Sequence, residues 1–237
     1  MPKKYPRVKF IIASKQDASL VKWGMDSIEQ FLPKNMRFIC EENFSKNERK
    51  KIVAAYVKHY YKINRDKINA SIKETENKWK KYGKTFFKLT DKIFKNYPWP
   101  KGNYRGHVSI WSMYPRDMGR KLFALPMHSS EPLYIDFDLL VIAHEMLHFI
   151  TYDYLQKKYH LKPSECNDHN NFFWQFTENL NVLIENSKMW RTFSSGFISQ
   201  PYDNCAVLYQ KMEKIWRKSQ DLDNLIVKTF KLEKIKY

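Results

Sequence analysis

In this 237-residue chain, His144-Glu145-Met146-Leu147-His148 groups the side chains best suited to chemistry. Successive residues of an α-helix are about 100° apart, so positions four apart differ by only about 40° and stand one turn from each other. His144 and His148 can therefore grip one ion, and Zn2+ is the metal this residue set suits. Glu145, next to the first ligand, is placed to take a proton from a metal-bound water, which is the chemistry of metal-assisted hydrolysis. The element that must carry these groups is a predicted helix through Leu139, Leu140, Ile142, Ala143, Leu147, Phe149 and Ile150, with Asp136 or Asp138 as its cap. A helix apolar on nearly every side belongs in a core. Two histidines and a glutamate are costly there unless compensated, and a metal is the simplest compensation.

A catalytic zinc usually has three protein ligands plus water, so the rest of the chain must supply one more. Thr151 and Tyr154 stand where a metzincin would need its glycine and third histidine, with Ile150 just before them, which excludes that class. By position the remaining candidates are Glu165, Glu178 and Glu185 among the glutamates, and His160 and His169 among the histidines.

His169-Asn170-Asn171-Phe172-Phe173-Trp174 opens an apolar-periodic stretch, with Asp168 available as its N-cap. This resembles the third-ligand helix of SprT-like and related minimal zinc peptidases, where a histidine starts a helix and an aromatic pair follows four and five positions on. Phe173 and Trp174 stand at those offsets. Val108-Ser109-Ile110-Trp111-Ser112, then Tyr134-Ile135 and the run into His144, resembles the strand, strand, active-helix order of the same group. The resemblance spans roughly Tyr82 to Trp190. Asn170 replaces a common glycine, and no cysteines are placed to build the C-terminal zinc ribbon of some members.

The resemblance implies a zincin-like α+β fold: a small mixed or antiparallel sheet packed on the buried His-Glu-x-x-His helix, followed by a ligand helix. It implies a zinc metallopeptidase acting on a protein or peptide substrate, with Glu145 as general base, His169 as third ligand, and substrate added as a strand along His107–Met113 or Lys121–His128. A helix that included His169 would put Glu178 about 180° away and Glu185 back on nearly the face of Glu178. His169 and the glutamates then cannot all face the metal. Phe172, Phe173, Phe176, Leu180 and Leu183 surround the direction of His169, which makes it the expected ligand and Glu178 and Glu185 its rivals. Tyr152, one turn after His148, is the nearest candidate to stabilise an oxyanion, with Tyr154 and His160 behind it.

Around this centre the chain reads as mostly helical. Arg7–Ser14 is a predicted strand, Asp17–Phe31 a helix stopped by Pro33, and Met36–Cys40 a second strand. Ser45 is a good N-cap for helical sequence that continues towards Tyr97, with a break expected at Gly83 and a shorter helix over Phe86–Phe94. Its stripes, Ile52, Val53, Tyr56, Tyr60 and Ile63 and then Ile68, Ile72, Trp79 and Tyr82, read as core packing. The dense turn signal Tyr97-Pro98-Trp99-Pro100-Lys101-Gly102-Asn103 divides a largely helical N-terminal region, 1–96, from a metallopeptidase core, 97–200. Strands are expected over His107–Met113 and Lys121–His128, with Pro115–Gly119 between them and Tyr134–Phe137 as a third strand or extended entry. Residues 201–237 form one or two amphipathic helices, with a stripe of Leu208, Met212, Ile215 and Trp216.

Composition bounds the rest. An apolar content of 43%, with seven tryptophans, fifteen tyrosines and sixteen phenylalanines, excludes a disordered chain. The net charge of +17 permits contact with nucleic acid, so a protease acting on DNA-associated proteins is one alternative, and a non-catalytic zinc-containing binding module is another. The lysines are spread along the chain, as on a solvated surface. Cys40, Cys166 and Cys205 are widely spaced and odd in number, which fits reduced thiols in the cytoplasm rather than a disulfide framework. No membrane span is expected, since the longest apolar stretch, Leu139–Ile150, contains His144, Glu145 and His148.

Overall fold

The structure is a computed structural model and describes residues 5–12, 14–19, 32, 34–41, 44–111, 114–127, 137–162, 171–191, 193 and 197–234. The elements, in order, are β1 (Val8–Ile12), α1 (Ser14–Ala18), α2 (Phe38–Glu41), α3 (Lys46–Ile63), α4 (Arg65–Ile93), β2 (Tyr104–Ser109), β3 (Arg116–Asp117), β4 (Leu122–Pro126), α5 (Phe137–Tyr159), α6 (Phe172–Glu185), α7 (Lys188–Arg191), α8 (Ala206–Ser219) and α9 (Leu222–Leu232). The fold is α+β. Its chain divides into two compact units: Pro6–Lys80 with Gly102–Ile142, and Met1–Tyr5 with Lys81–Lys101 and Ala143–Tyr237. No helix among the described residues is long and apolar enough to cross a membrane.

The first unit holds a mixed four-stranded sheet in the order β1-β2-β4-β3, parallel except for the β3–β4 pair. β2 is central among the described strands, with both edges paired, so its His107–Ser109 part has no edge left for an added strand. Phe10 faces Gly106 across β1 and β2, and its ring lies so close that a Cβ at Gly106 would meet it at 2.7 Å; the glycine makes room for the aromatic. Below the end of β2, Asp17 is buried and accepts hydrogen bonds from the Ser109 hydroxyl (2.7 Å), the Tyr61 hydroxyl (2.7 Å) and the Ile110 N–H (3.1 Å). These tie α1 and α3 to the sheet. Burial nevertheless raises the Asp17 pKa, the donors only partly offsetting it.

His107, in the middle of β2, is 3% exposed, and neither ring nitrogen has a hydrogen-bond partner among the described residues. Burial, with a smaller contribution from Arg105, lowers its pKa to about 4. The unfolded value is about 6.5, so protonation favours the unfolded chain, and the stability gained by keeping His107 neutral is lost as pH falls from about 6.5 to about 4. Urea unfolding at pH 7 and pH 4 is expected to show a loss of about 2–3 kcal/mol that His107→Phe removes. An unchanged difference in the variant would contradict this account.

Three expectations change here. Met36–Cys40 is not a strand: Lys34–Met36 is a 3-10 turn, α2 follows, and Met36 and Ile39 are buried with Val53, Val57 and Trp111, a contact that helical spacing provides. Gly83 does not break the helix; α4 runs unbroken for 29 residues. A glycine costs about 1 kcal/mol in a helix interior, which the burial of Trp79, Phe86 and Phe87 on either side outweighs. Ile63, expected in the core stripe, is 62% exposed at the end of α3. Ser45 does cap α3, in a reciprocal capping box with Glu48. Leu20, Trp23, Ile28 and Phe31, and Tyr134 to Asp136, lie outside the described residues.

In the second unit an aromatic cluster holds the end of α4, with Phe86 against Trp99, Trp190 and Phe193, and Phe87 against Tyr5 and Trp99. Asp223, in the first turn of α9, accepts hydrogen bonds from Tyr154, Lys158, Tyr159 and Lys95, fixing the end of α5. His160 takes a left-handed conformation (φ 56°) where α5 ends. The C-terminal stretch is two helices, with Leu208, Met212 and Trp216 buried and Gln220 turning between them at φ 48°.

Candidate metal centre

α5 is buried as its sequence predicts: Leu139, Ile142, Ala143, Met146, Leu147, Phe149 and Ile150 are each at most 1% exposed. Its polar residues meet α6, which is covered along almost its whole length. Asn171 caps α6, its side chain accepting from the Phe173 N–H at 2.8 Å, so the helix begins at Phe172 rather than at His169. The 180° offset between His169 and Glu178 assumed a helix that includes His169, whereas α6 spans Phe172–Glu185. His169, Glu165 and Asp168 lie outside the described residues.

Glu178, Asn181 and Glu185 follow at spacings of three and four, one stripe of α6, and all three turn to His144. Glu178 Oε2 is 3.2 Å from His144 Nε2, Glu185 Oε1 is 2.8 Å from His144 Nδ1, and Asn181 Nδ2 donates to the His144 carbonyl at 3.1 Å. His148 Nε2 completes the group, 3.1 Å from His144 Nε2 and 3.4 Å from Glu178 Oε1. Zinc bonds of about 2.0–2.1 Å directed to the corners of a tetrahedron put neighbouring ligand atoms roughly 3.3–3.4 Å apart. The two ring nitrogens, 3.1 Å apart, come close to such an edge, while Glu178 meets the rings through different oxygens, Oε2 at 3.2 Å from His144 Nε2 and Oε1 at 3.4 Å from His148 Nε2. His144, His148 and Glu178 therefore fit a divalent ion, and they are the group among the described residues able to hold one.

Burial sets the electrostatics. His148 is fully enclosed and Glu178 is 3% exposed, whereas the side chain of His144 is 24% exposed, with both ring nitrogens turned inward to Glu185 and Glu178. Glu145 is 4% exposed. Burial lowers the proton affinity of His144, but Glu185 and Glu178 outweigh it and leave the pKa well above 6.5. A proton and a metal compete for that ring, so metal binding strengthens as pH rises and releases protons.

Glu185 has a role that reading it as a rival ligand missed. Its carboxylate lies against Nδ1 of His144 and leaves Nε2 facing Glu178 and His148, the placement of an outer carboxylate partner that would orient a metal-binding imidazole. Ser199 donates its hydroxyl to the other oxygen of Glu185. The spacing of seven between Glu178 and Glu185 signals this, since both lie on one face about 10 Å apart, a gap that one imidazole bridges with its two nitrogens. Ser199 has no such signal in sequence. Glu185→Gln is expected to weaken zinc binding 10–100-fold while leaving the fold intact, measured by competition with a chromophoric chelator. An unchanged affinity would remove Glu185 from this role.

The other candidates lie elsewhere. Tyr152 is buried, its ring stacked on His148 (centroids 6.1 Å apart) and its hydroxyl accepting from the Thr177 hydroxyl at 2.9 Å. Tyr154 turns to Asp223, and His160 is exposed at the end of α5. No family model matches the chain, and no curated protein or solved structure matches it either.

Proposed function

We propose that this protein is a zinc-dependent metallopeptidase in which His144, His148 and Glu178 hold the ion and Glu145 is the general base. The observation that carries this reading is the convergence of two imidazole nitrogens and one carboxylate within 3.4 Å of one another, one residue from a buried glutamate on the same helix. When bound there, zinc supplies Lewis acidity, polarising a carbonyl and lowering the pKa of water towards about 7. Glu145 takes a proton from the attacking water as its oxygen bonds to the scissile carbonyl carbon. The same carboxylate then delivers that proton to the amide nitrogen as the C–N bond breaks, so each cycle returns Glu145 to its ionised form. Glu185 keeps the His144 ring in place throughout. A set of three candidate protein ligands, one with a partly exposed side chain, supports a catalytic site rather than a closed four-ligand structural one.

Elemental analysis of the purified protein is expected to give one zinc per chain, with cleavage of β-casein abolished by a chelator and restored by added zinc. Cleavage that survives complete removal of metal would refute the reading.

A further inference from the structure

The stretch Phe197–Tyr202 is anchored by Ser199. Asn186, at the end of α6, donates from Nδ2 to the Ser199 carbonyl and accepts from the Ser199 N–H at Oδ1, both at 2.9 Å. One planar amide meets the N–H and C=O of a single residue where the two point the same way, as they do in a paired β residue. Gln200 precedes Pro201, which disfavours a helical conformation for it, and Tyr202 is extended at φ −62°, ψ 148°. Exposure alternates accordingly: Ile198, Gln200 and Tyr202 are exposed, while Phe197, Ser199 and Pro201 are partly covered. The segment has the form of a strand, with a side-chain amide in place of a neighbouring strand.

In an extended chain the backbone groups of successive residues point to opposite edges. Ser199 directs its pair to Asn186, so Ile198 and Gln200 direct theirs to the other edge, where neither has a hydrogen-bond partner among the described residues. Beside this free edge stand two exposed apolar side chains, Ile198 at 58% and Tyr202 at 57%. Ser199 itself is joined to the metal centre, its hydroxyl holding Glu185 and Glu185 holding His144. One carboxylate and one imidazole separate Ser199 from the ligand nitrogen, a span of about three residues of extended polypeptide at roughly 3.3 Å each.

On the metallopeptidase reading, we propose that Phe197–Tyr202 is the ledge on which the polypeptide substrate lies extended, its backbone pairing with Ile198 and Gln200 and its apolar side chains packing beside Ile198 and Tyr202. Donors and acceptors alternating along an edge complement another extended backbone, and the neighbouring apolar surface complements side chains. Main-chain pairing accepts many sequences, and the flanking side chains add the preference. Ser199 joins this ledge to the groups that hold His144.

The test uses the full-length, zinc-loaded Glu145→Gln variant with β-casein as probe. Hydrogen–deuterium exchange of fragments covering 197–202 is expected to slow on casein binding. Gln200→Pro in the same background removes one outward N–H and suits an extended chain; it is expected to weaken casein binding about 5–10-fold with zinc content unchanged. Casein binding without protection of this segment, binding indifferent to Gln200→Pro, or no casein binding overturns the ledge. Protection that appears with rising protein concentration and no casein assigns the edge to a second copy of the chain and also overturns it. Cleavage by the wild type is read separately: cleavage without protection keeps the peptidase and removes the ledge, and protection without cleavage does the reverse.

Discussion

Glu145→Gln is expected to leave zinc bound and to lower turnover of β-casein by about 10²–10⁴-fold, the range for removing a positioned general base. Glutamine has nearly the shape of glutamate, so the α5 backbone, His144 and the packing around a side chain only 4% exposed are retained. What is lost is the capacity to carry a proton from water to the leaving nitrogen. That step belongs to the transition state, so kcat falls while KM stays close to the wild-type value. Zinc content separates this from a trivial loss of the site: an inactive variant that has also lost its metal would say nothing for a base, and a variant with zinc and activity within about threefold of wild type would remove Glu145 from the mechanism.

The parts of the site legible in sequence are those fixed by local helical geometry. His144, Glu145 and His148 lie within five residues, and the apolar run around them is enough to predict a buried helix, which α5 is. Local rules also found the cap at Ser45, strands near β1, β2 and β4 in outline though not their parallel pairing, and helical structure at the C-terminal end. The third member of the cluster depends on where a second helix starts, and that is a matter of one cap. With Asp168 as cap, His169 would sit on the helix and Glu178 behind it; with Asn171 as cap, the stripe Glu178, Asn181, Glu185 faces α5. Gly83 shows a different limit: local propensity marks a break, but aromatic burial on both sides keeps α4 continuous. Ser199 and its clasp by Asn186 could not be read at all, since irregular chain carries no periodicity to place it.

Glu178→Ala is expected to weaken zinc binding by at least about 10³-fold, more than the roughly 10–100-fold ascribed to an outer partner such as Glu185, and to abolish cleavage with it. The carboxylate is 3% exposed and lies within 3.2 Å of one imidazole nitrogen and 3.4 Å of the other, so its removal takes away an anionic oxygen donor that faces both rings. Its loss also changes the competition with protons. Glu178 is one of the two carboxylates holding the His144 pKa up against burial, so the ring in Glu178→Ala is easier to deprotonate than in wild type. A site lost merely through excess protonation would therefore be less affected in the variant, whereas a site lost for want of a ligand stays empty as pH rises. Titrating zinc into wild type, Glu178→Ala and His169→Ala across pH 6–9 distinguishes the cases: Glu178→Ala stays weak throughout and His169→Ala matches wild type. Full zinc binding by Glu178→Ala, with loss in His169→Ala, would transfer the third ligand to His169 and leave Glu178 as a buried partner of the two imidazoles.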